Sequence, residues 1–305
     1  MNILPKGISV IIPCFNREKT IRSAIESVLK QNYLERFEVI VSDDGSTDNS
    51  LKIAREFVEN VVVLEKPKDC LEQGASGARN RALLVAKYEY VCFLDSDDYF
   101  LPNYLNTVAN VLDNNKEIGY TFSRSKKEIR FNDNTTRIED WTRKQLSYLD
   151  KKYHVLFRSY NINTAIIFIR KVVLDKAGLF DTSLSNGEDT DMWLRISEIS
   201  KGQFVDIYGA VYRFNHSENQ LTRNQNDLKK SCATTIYAKS MQRYIEAPTK
   251  DKLRLLLIVR ILMYMSMTPK EGLFIYIYRF ATVNCRLFFL FPVTFFKYSF
   301  YALKK

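Results

Sequence analysis

The chain is poor in several residues and motifs that would have committed it to familiar chemistries. Its 305 residues hold five cysteines, Cys14, Cys70, Cys92, Cys232 and Cys285, an odd number with no CxxC pair among them. That spacing offers neither a zinc site nor a disulfide framework. Cys14 and Cys92 fall in or beside strand-like apolar runs, where a free thiol behaves as a small hydrophobe. There is no Gly-rich GxGxxG turn and no P-loop, which excludes the two commonest backbone cradles for nucleotide phosphates. No uncharged run reaches the ~18–20 residues that a bilayer-spanning helix needs. Internal repeats and low-complexity segments are absent, and at 46% hydrophobic and 26% charged residues the chain reads as globular. No basic-then-apolar leader precedes the first apolar run, which together with free thiols sets the expectation of a reducing cytoplasm.

Positive charge is what the sequence has in excess, and it is concentrated. The formal net charge is +10, and from Met241 onward eleven basic residues stand against three acidic ones, leaving the first 240 residues close to neutral. The same stretch is aromatic, as in Phe274-Ile275-Tyr276-Ile277-Tyr278 and Leu287-Phe288-Phe289-Leu290-Phe291. A basic and aromatic segment suits an anionic membrane surface, on which helices of the region 226–305 would lie without crossing. An evenly spread charge would have suited nucleic acid, so no nucleic-acid partner is expected. The alternative is that these helices pack on the rest of the chain as ordinary core.

Upstream, short β-branched runs alternate with amphipathic segments, the pattern of parallel βαβ units. Strands are predicted at Ile8–Ile12, Phe37–Val41, Val61–Leu64, Tyr90–Leu94 and Tyr120–Phe122, with a later buried strand at Ile162–Ile169. Helices are predicted around Ile21–Leu29, from about Asn49, from Ser76 to Ala86, after Pro102 and from near Asp189. The apolar stripe of Ile21, Ala24, Ile25, Val28 and Leu29 has the three-and-four spacing of one helix face. A hairpin is expected around Asn132-Asp133-Asn134, followed by a polar stretch to about Tyr160. The predicted fold class is α/β: a Rossmann-like, mostly parallel sheet with helices on both faces, plus a C-terminal helical extension. Its catalytic domain would span 1–225, split near residue 123 into a nucleotide-binding half and a second half of 124–225.

In such a sheet, ligands bind beyond the carboxyl ends of the strands. The first strand ends in Pro13-Cys14-Phe15-Asn16-Arg17, the second in Ser42-Asp43-Asp44-Gly45-Ser46-Thr47-Asp48, the fourth in Asp95-Ser96-Asp97-Asp98. Three carboxylates within four residues raise one another's proton affinity unless a cation sits among them. A hard divalent ion, Mg2+ or Mn2+, completed by diphosphate oxygens, relieves that repulsion; an acidic surface turn is the plainer reading. Asp44, at a strand end, can accept from the imide of a uracil ring, whereas Ser46, Thr47 or Asp48 can simply cap the next helix. Without a P-loop, phosphate charge falls to the metal and to basic residues such as Arg79 or Arg213.

Taken in order, PCFNR, VSDDGSTD, GASGARN, FLDSDD and NGEDTDMWLR resemble the family-2 glycosyltransferases of the GT-A, nucleotide-diphospho-sugar transferase fold, over roughly residues 7–220. The resemblance implies an inverting, metal-dependent enzyme that moves a sugar from a nucleotide-diphospho-sugar, a UDP-sugar, to a glycan or lipid-linked glycan acceptor; with the basic, aromatic tail, the expected place of work is peripheral, on the inner face of the plasma membrane. It implies that Asp44 contacts the base, that Pro13 and Phe15 with neighbouring Asn16 line its pocket, and that Asp95, Ser96, Asp97 and Asp98 hold ribose and metal. Gly77-Ala78-Arg79-Asn80 resembles the donor-side helix start, Asp189 the catalytic base, and His216 a metal-proximal position. Thr190 and Leu179 depart from the family pattern, and both lie on the acceptor side. Trp193 reads as a core residue or an acceptor-stacking one. A sugar nucleotidyltransferase would need a Gly-rich loop after the first strand, which is missing; a non-catalytic binding or scaffold protein is the third reading.

Overall fold

The computed structural model describes residues 4–33, 35–131, 135–141 and 164–215, with Thr235, Ile236, Lys239, Gln242 and Arg243 beyond them. His216 and nearly all of the basic, aromatic 226–305 region lie outside the described residues, as does the polar stretch after Trp141.

β1 (Ile8–Cys14) is buried along its whole length and pairs in parallel with β2 (Phe37–Asp43) on one side and β4 (Tyr90–Phe93) on the other. A strand flanked by parallel neighbours and covered on both faces must be largely apolar, which ISVIIP supplies except at Ser9, whose hydroxyl donates to Glu38 Oε1 at 2.7 Å. β3 (Val61–Glu65) extends the parallel part from β2. With strands in the order β3-β2-β1-β4, the right-handed rule for parallel crossovers puts α1 (Ile21–Leu29) and α2 (Ser50–Arg55) on one face and α3 (Gly74–Val85) on the other. The predicted apolar stripe is the face that α1 buries, with Ile21, Ala24, Ile25 and Val28 all inaccessible to solvent.

Beyond β4 the sheet changes character. The described strands run in the order β3-β2-β1-β4-β8-β6-β9-β5, with β7 attached to β6. β8 (Ile167–Arg170) is antiparallel to both β4 and β6 (Ile118–Arg130), while β6 and β9 (Lys201–Asn215) are parallel. Register shifts at Ile118/Tyr120, Phe122/Arg124 and Arg124/Ser125 bend this long pair, as bulges do. β5 (Tyr99–Phe100) pairs with the far end of β9. β6 and β7 (Thr136–Asp140) form the expected hairpin about residues 132–134. Three expectations change. β6 runs ten residues past the predicted start of its core because its outer half pairs with β7 and β9 instead of burying; β8 starts only at Ile167, after a 3-10 turn at Thr164–Ile166; and β9, whose middle carries Gly209 and Ala210 among mixed polar residues, was not foreseen at all.

α4 (Tyr104–Asn114) packs on β6 and β9, α5 (Lys171–Ala177) follows β8, and α6 (Glu188–Ile199) closes the described part against β4. Trp193 is fully buried against Phe93 and Phe180, with ring centroids 6.1 Å away in each case, so it is core and not an exposed stacking surface.

Candidate active site

The loops after β1 and β2 are sewn together before either reaches a ligand. Asp44 N–H donates to the Cys14 carbonyl at 2.8 Å. Asn16 adopts a left-handed backbone (φ 53°), which asparagine tolerates. Its N–H donates to Ser46 Oγ at 2.9 Å, and its amide oxygen accepts from Thr47 N–H at 2.8 Å. Gly45 supplies the positive φ (90°) that lets Asp43 accept from the N–H groups of Gly45 and Ser46 at 3.0 and 2.9 Å. Asn16 is therefore occupied in shaping the loop. Pro13 is buried beneath it, while Phe15 is half exposed (52%) on its outer side.

Asp44 sits nearby in a cationic setting that the sequence did not announce. Arg81 Nη2 donates to its Oδ1 at 2.9 Å, Gly74 N–H at the start of α3 donates to Oδ2 at 2.6 Å, and Lys66 lies 3.9 Å away. Any base contact shares oxygens that already accept these bonds.

Five residues along α3 from that amide, Arg79 ties the halves of the chain together. Its guanidinium donates to Asp95 Oδ1 at 2.7 Å and to Glu188 Oε1 at 2.9 Å, and its side chain is only 4% exposed. It also lies over the Phe180 ring, 5.5 Å from the centroid. Asn80, the next residue, exchanges hydrogen bonds with the backbone of Phe180, accepting at 2.8 Å and donating at 2.9 Å. The turn after β4 and the first turn of α6 are thus held on opposite ends of one buried cation. Arg79, expected to answer phosphate charge, has its own charge answered by two carboxylates.

Asp189 stands beside this bridge. Gly187 takes φ 79° to start α6, and Thr190 N–H donates to Asp189 Oδ1 at 2.6 Å. Burial, and then the adjacent Glu188 carboxylate, raise the Asp189 carboxyl to about 7, against the opposing pull of Arg79. A group that titrates there is strong enough to take a proton from a hydroxyl and is still ionised in good part at neutral pH. Asp95 adds to the upward shift, which places the acidic turn and Asp189 within electrostatic reach of each other.

In the acidic turn, Asp97 accepts from Arg17 Nε at 3.3 Å, and burial followed by repulsion from Asp95 raises its proton affinity. That unrelieved repulsion is what a divalent cation would remove. Asp95 and Asp97 each have one oxygen on an arginine, leaving Asp95 Oδ2 and Asp97 Oδ1 with no second side-chain partner among the described residues. Two carboxylates fit a hard cation that completes its shell with substrate oxygens. Among the described residues no group of three or more His, Cys, Asp or Glu stands ready to hold a metal alone. Asp98, expected beside the metal, is fully buried and accepts from the backbone N–H of Arg213 at 3.0 Å, pinning the turn to β9. Ser96 is buried within the turn. The Arg213 side chain, expected near phosphate, lies 4.5 Å over the Tyr99 ring, 3.5 Å from Glu128, and donates to Ser23 Oγ at 2.8 Å.

Arg17, Arg81 and Glu188 are thus functional neighbours that sequence reasoning passed over. Each was visible only as a charged residue within a motif, with nothing to say which partner it would meet.

A parallel sheet whose strand ends present an acidic turn to a carboxylate pair on a helix from the chain's other half defines the class: a GT-A glycosyltransferase. The glycosyl transferase family 2 profile matches residues 9–176, more than half of the chain, and the chain belongs to that family. Among similar curated proteins, the Escherichia coli UDP-Glc:alpha-D-GlcNAc-diphosphoundecaprenol beta-1,3-glucosyltransferase WfaP is 31% identical over 73% of this chain and 85% of its own. WfgD of the same species, a glucosyltransferase of the same name and specificity, is 28% identical over 72% of this chain and 80% of its own. Among solved structures, S. aureus TarS 1-349 superposes with a TM-score of 0.64 at 18% identity, covering 98% of this chain and 90% of that one. The Pyrobaculum calidifontis mannosyltransferase PcManGT, in complex with GDP-Man and Mn2+, gives 0.58 at 16% identity, covering 99% and 87%. These two likenesses concern the fold.

Proposed function

We propose that this glycosyltransferase inverts the anomeric centre of a UDP-sugar, with Asp189 as the base, and delivers the sugar to a hydroxyl of a lipid-linked or surface-glycan acceptor. The observation that supports the reading is the Arg79 bridge from Asp95 to Glu188, with the neighbouring Asp189 carboxyl raised to about 7 and Asp95 among the charges that raise it. In-line displacement needs a base on one side of the sugar and charge stabilisation for the departing diphosphate on the other. The donor base would lie by Asp44, with Arg81 and Phe15 at its edges and Pro13 and Asn16 shaping the floor. Asp95 and Asp97 would hold Mg2+ or Mn2+, with His216 a further candidate ligand. Such an ion supplies Lewis-acid stabilisation of the leaving diphosphate. The chain's own residues orient the turn through Arg17 and Asp98, and keep Asp189 poised through Glu188 and Arg79.

The UDP-sugar donor and the lipid-linked acceptor are supported by the activities for which WfaP and WfgD are named, and the donor also by a TarS structure in complex with UDP-GlcNAc. The basic, aromatic region 226–305 is proposed to bring the enzyme to the anionic cytoplasmic face of the membrane. No helix among the described residues is long and apolar enough to cross a bilayer. Thermal unfolding of the full chain with manganese and a panel of nucleotide sugars tests the donor reading. Uridine nucleotide sugars should raise Tm above their guanosine and adenosine counterparts, and a flat response across the panel would overturn it.

A further inference from the structure

β6, β7 and the end of β9 carry a cluster that the reaction as described leaves unused. Lys127 Nζ lies 4.0 Å from the Phe214 ring centroid and 4.4 Å from that of Trp141, and Trp141 stacks on Tyr212 at 6.1 Å with an interplanar angle of 27°. Register explains the grouping. Lys127 is level with Tyr212 on β9 and with Glu139 on β7, and residues two along from each fall on the same face, which adds Phe214 and Trp141. Glu139, the carboxylate best placed to answer the ammonium, is turned to Arg137 at 2.8 Å instead. No ion pair of Lys127 exists among the described residues. Among the described residues its charge is faced by ring quadrupoles, which attract a cation without neutralising it. Trp141 remains 40% exposed, and Phe131, on the same side of the hairpin by parity, 38%.

An ammonium held in an aromatic frame and lacking a carboxylate recognises an anion with an apolar body attached. The strand that carries Tyr212 and Phe214 is tied to the acidic turn by the backbone N–H of Arg213, which donates to Asp98, and the two rings project from the sheet face opposite the Arg213 side chain. We infer that Lys127, with Trp141, Tyr212 and Phe214, forms an acceptor subsite that takes the phosphate of a phosphate-linked isoprenoid. The ammonium binds the phosphate oxygens and the rings cover the first isoprene units. This rests on the lipid-linked acceptor proposed above and assigns it a place on the chain.

The two tryptophans make the test direct, because Trp193 is fully buried and Trp141 is half exposed. The full chain, saturated with UDP and manganese so that the donor cleft is filled, is titrated with farnesyl diphosphate, farnesol and inorganic diphosphate while Trp emission is followed. Farnesyl diphosphate should change the emission and bind more tightly than either fragment. Lys127→Gln should weaken it about tenfold or more, the worth of one charge-assisted hydrogen bond. Lys127→Arg should restore most of that loss, and farnesol binding should not respond to either substitution. Equal binding of farnesyl diphosphate and farnesol, equal binding of inorganic diphosphate, or indifference to Lys127→Gln would each overturn the assignment. UDP binding, read from thermal shift on the same preparations, separates the two failures. A chain that binds UDP but shows no Lys127-dependent affinity refutes this subsite alone, and one that binds farnesyl diphosphate but no UDP refutes the donor reading.

Discussion

Replacing Asp189 by Asn should make the protein more stable and nearly inactive at once. The carboxyl has its ordinary value near 3.8 in an open chain and about 7 when folded. Between those limits the native state binds more protons than the unfolded one, so wild-type stability falls as pH rises from about 4 to about 7. Three pH units correspond to a ceiling of about 4 kcal/mol. Asp189 is half-buried and retains some solvent, which brings the expected figure nearer to about 2 kcal/mol. The asparagine keeps the Thr190 N–H bond through its own Oδ1 and removes the charge that burial and Glu188 oppose. Urea unfolding should therefore find the two proteins equally stable at pH 4, with Asp189→Asn ahead by about 2 kcal/mol at pH 8. Transfer should fall by about 10²–10⁴-fold in the same variant, and wild-type kcat/KM should climb with pH to a plateau above about 7. A variant that is less stable than wild type at pH 8 would refute the raised carboxyl, and one that retains full transfer would refute its role as the base.

Other outcomes follow from the same contacts. Arg79→Met leaves Asp95 and Glu188 facing each other without their shared cation, and should cost about 3–5 kcal/mol in unfolding experiments. Arg79→Lys should recover part of the stability, because a single ammonium cannot hold both carboxylates at the forked geometry. Asp98→Asn should lower Tm while leaving metal affinity, read by manganese titration, largely intact; loss of metal binding alone would make Asp98 a ligand after all. EDTA should abolish transfer and added manganese restore it, and activity indifferent to chelation would remove the metal role of Asp95 and Asp97. The full chain should float with anionic liposomes through Leu253–Lys305 and release at high salt; no flotation would mean that the region serves as packing surface.

The parallel half of the sheet was legible because burial on both faces demands unbroken apolar runs, and Ile8–Ile12, Phe37–Val41 and Tyr90–Leu94 obey that demand almost residue for residue. β9 obeys a different rule. Its inner end lies beside β6, while its outer end pairs with the two-residue β5 and a half-solvated β6, so Lys201–Asn215 mixes Asp206, Tyr208, Gly209 and Arg213 with its apolar residues and has no single period to detect. The same distinction governs the site. Strand ends are fixed by topology, which is why Asp44, Asp95 and Asp97 could be located from spacing, whereas an ion pair such as Arg79 with Glu188 joins positions 109 residues apart and depends on how α6 packs. Composition favoured assigning Arg79 and Arg213 to phosphate, since both are basic and both lie near the cleft. Packing instead set the first between two carboxylates and the second over Tyr99. Which partner each of these charges meets is therefore decided by packing between distant segments, which the local spacing of a motif does not encode.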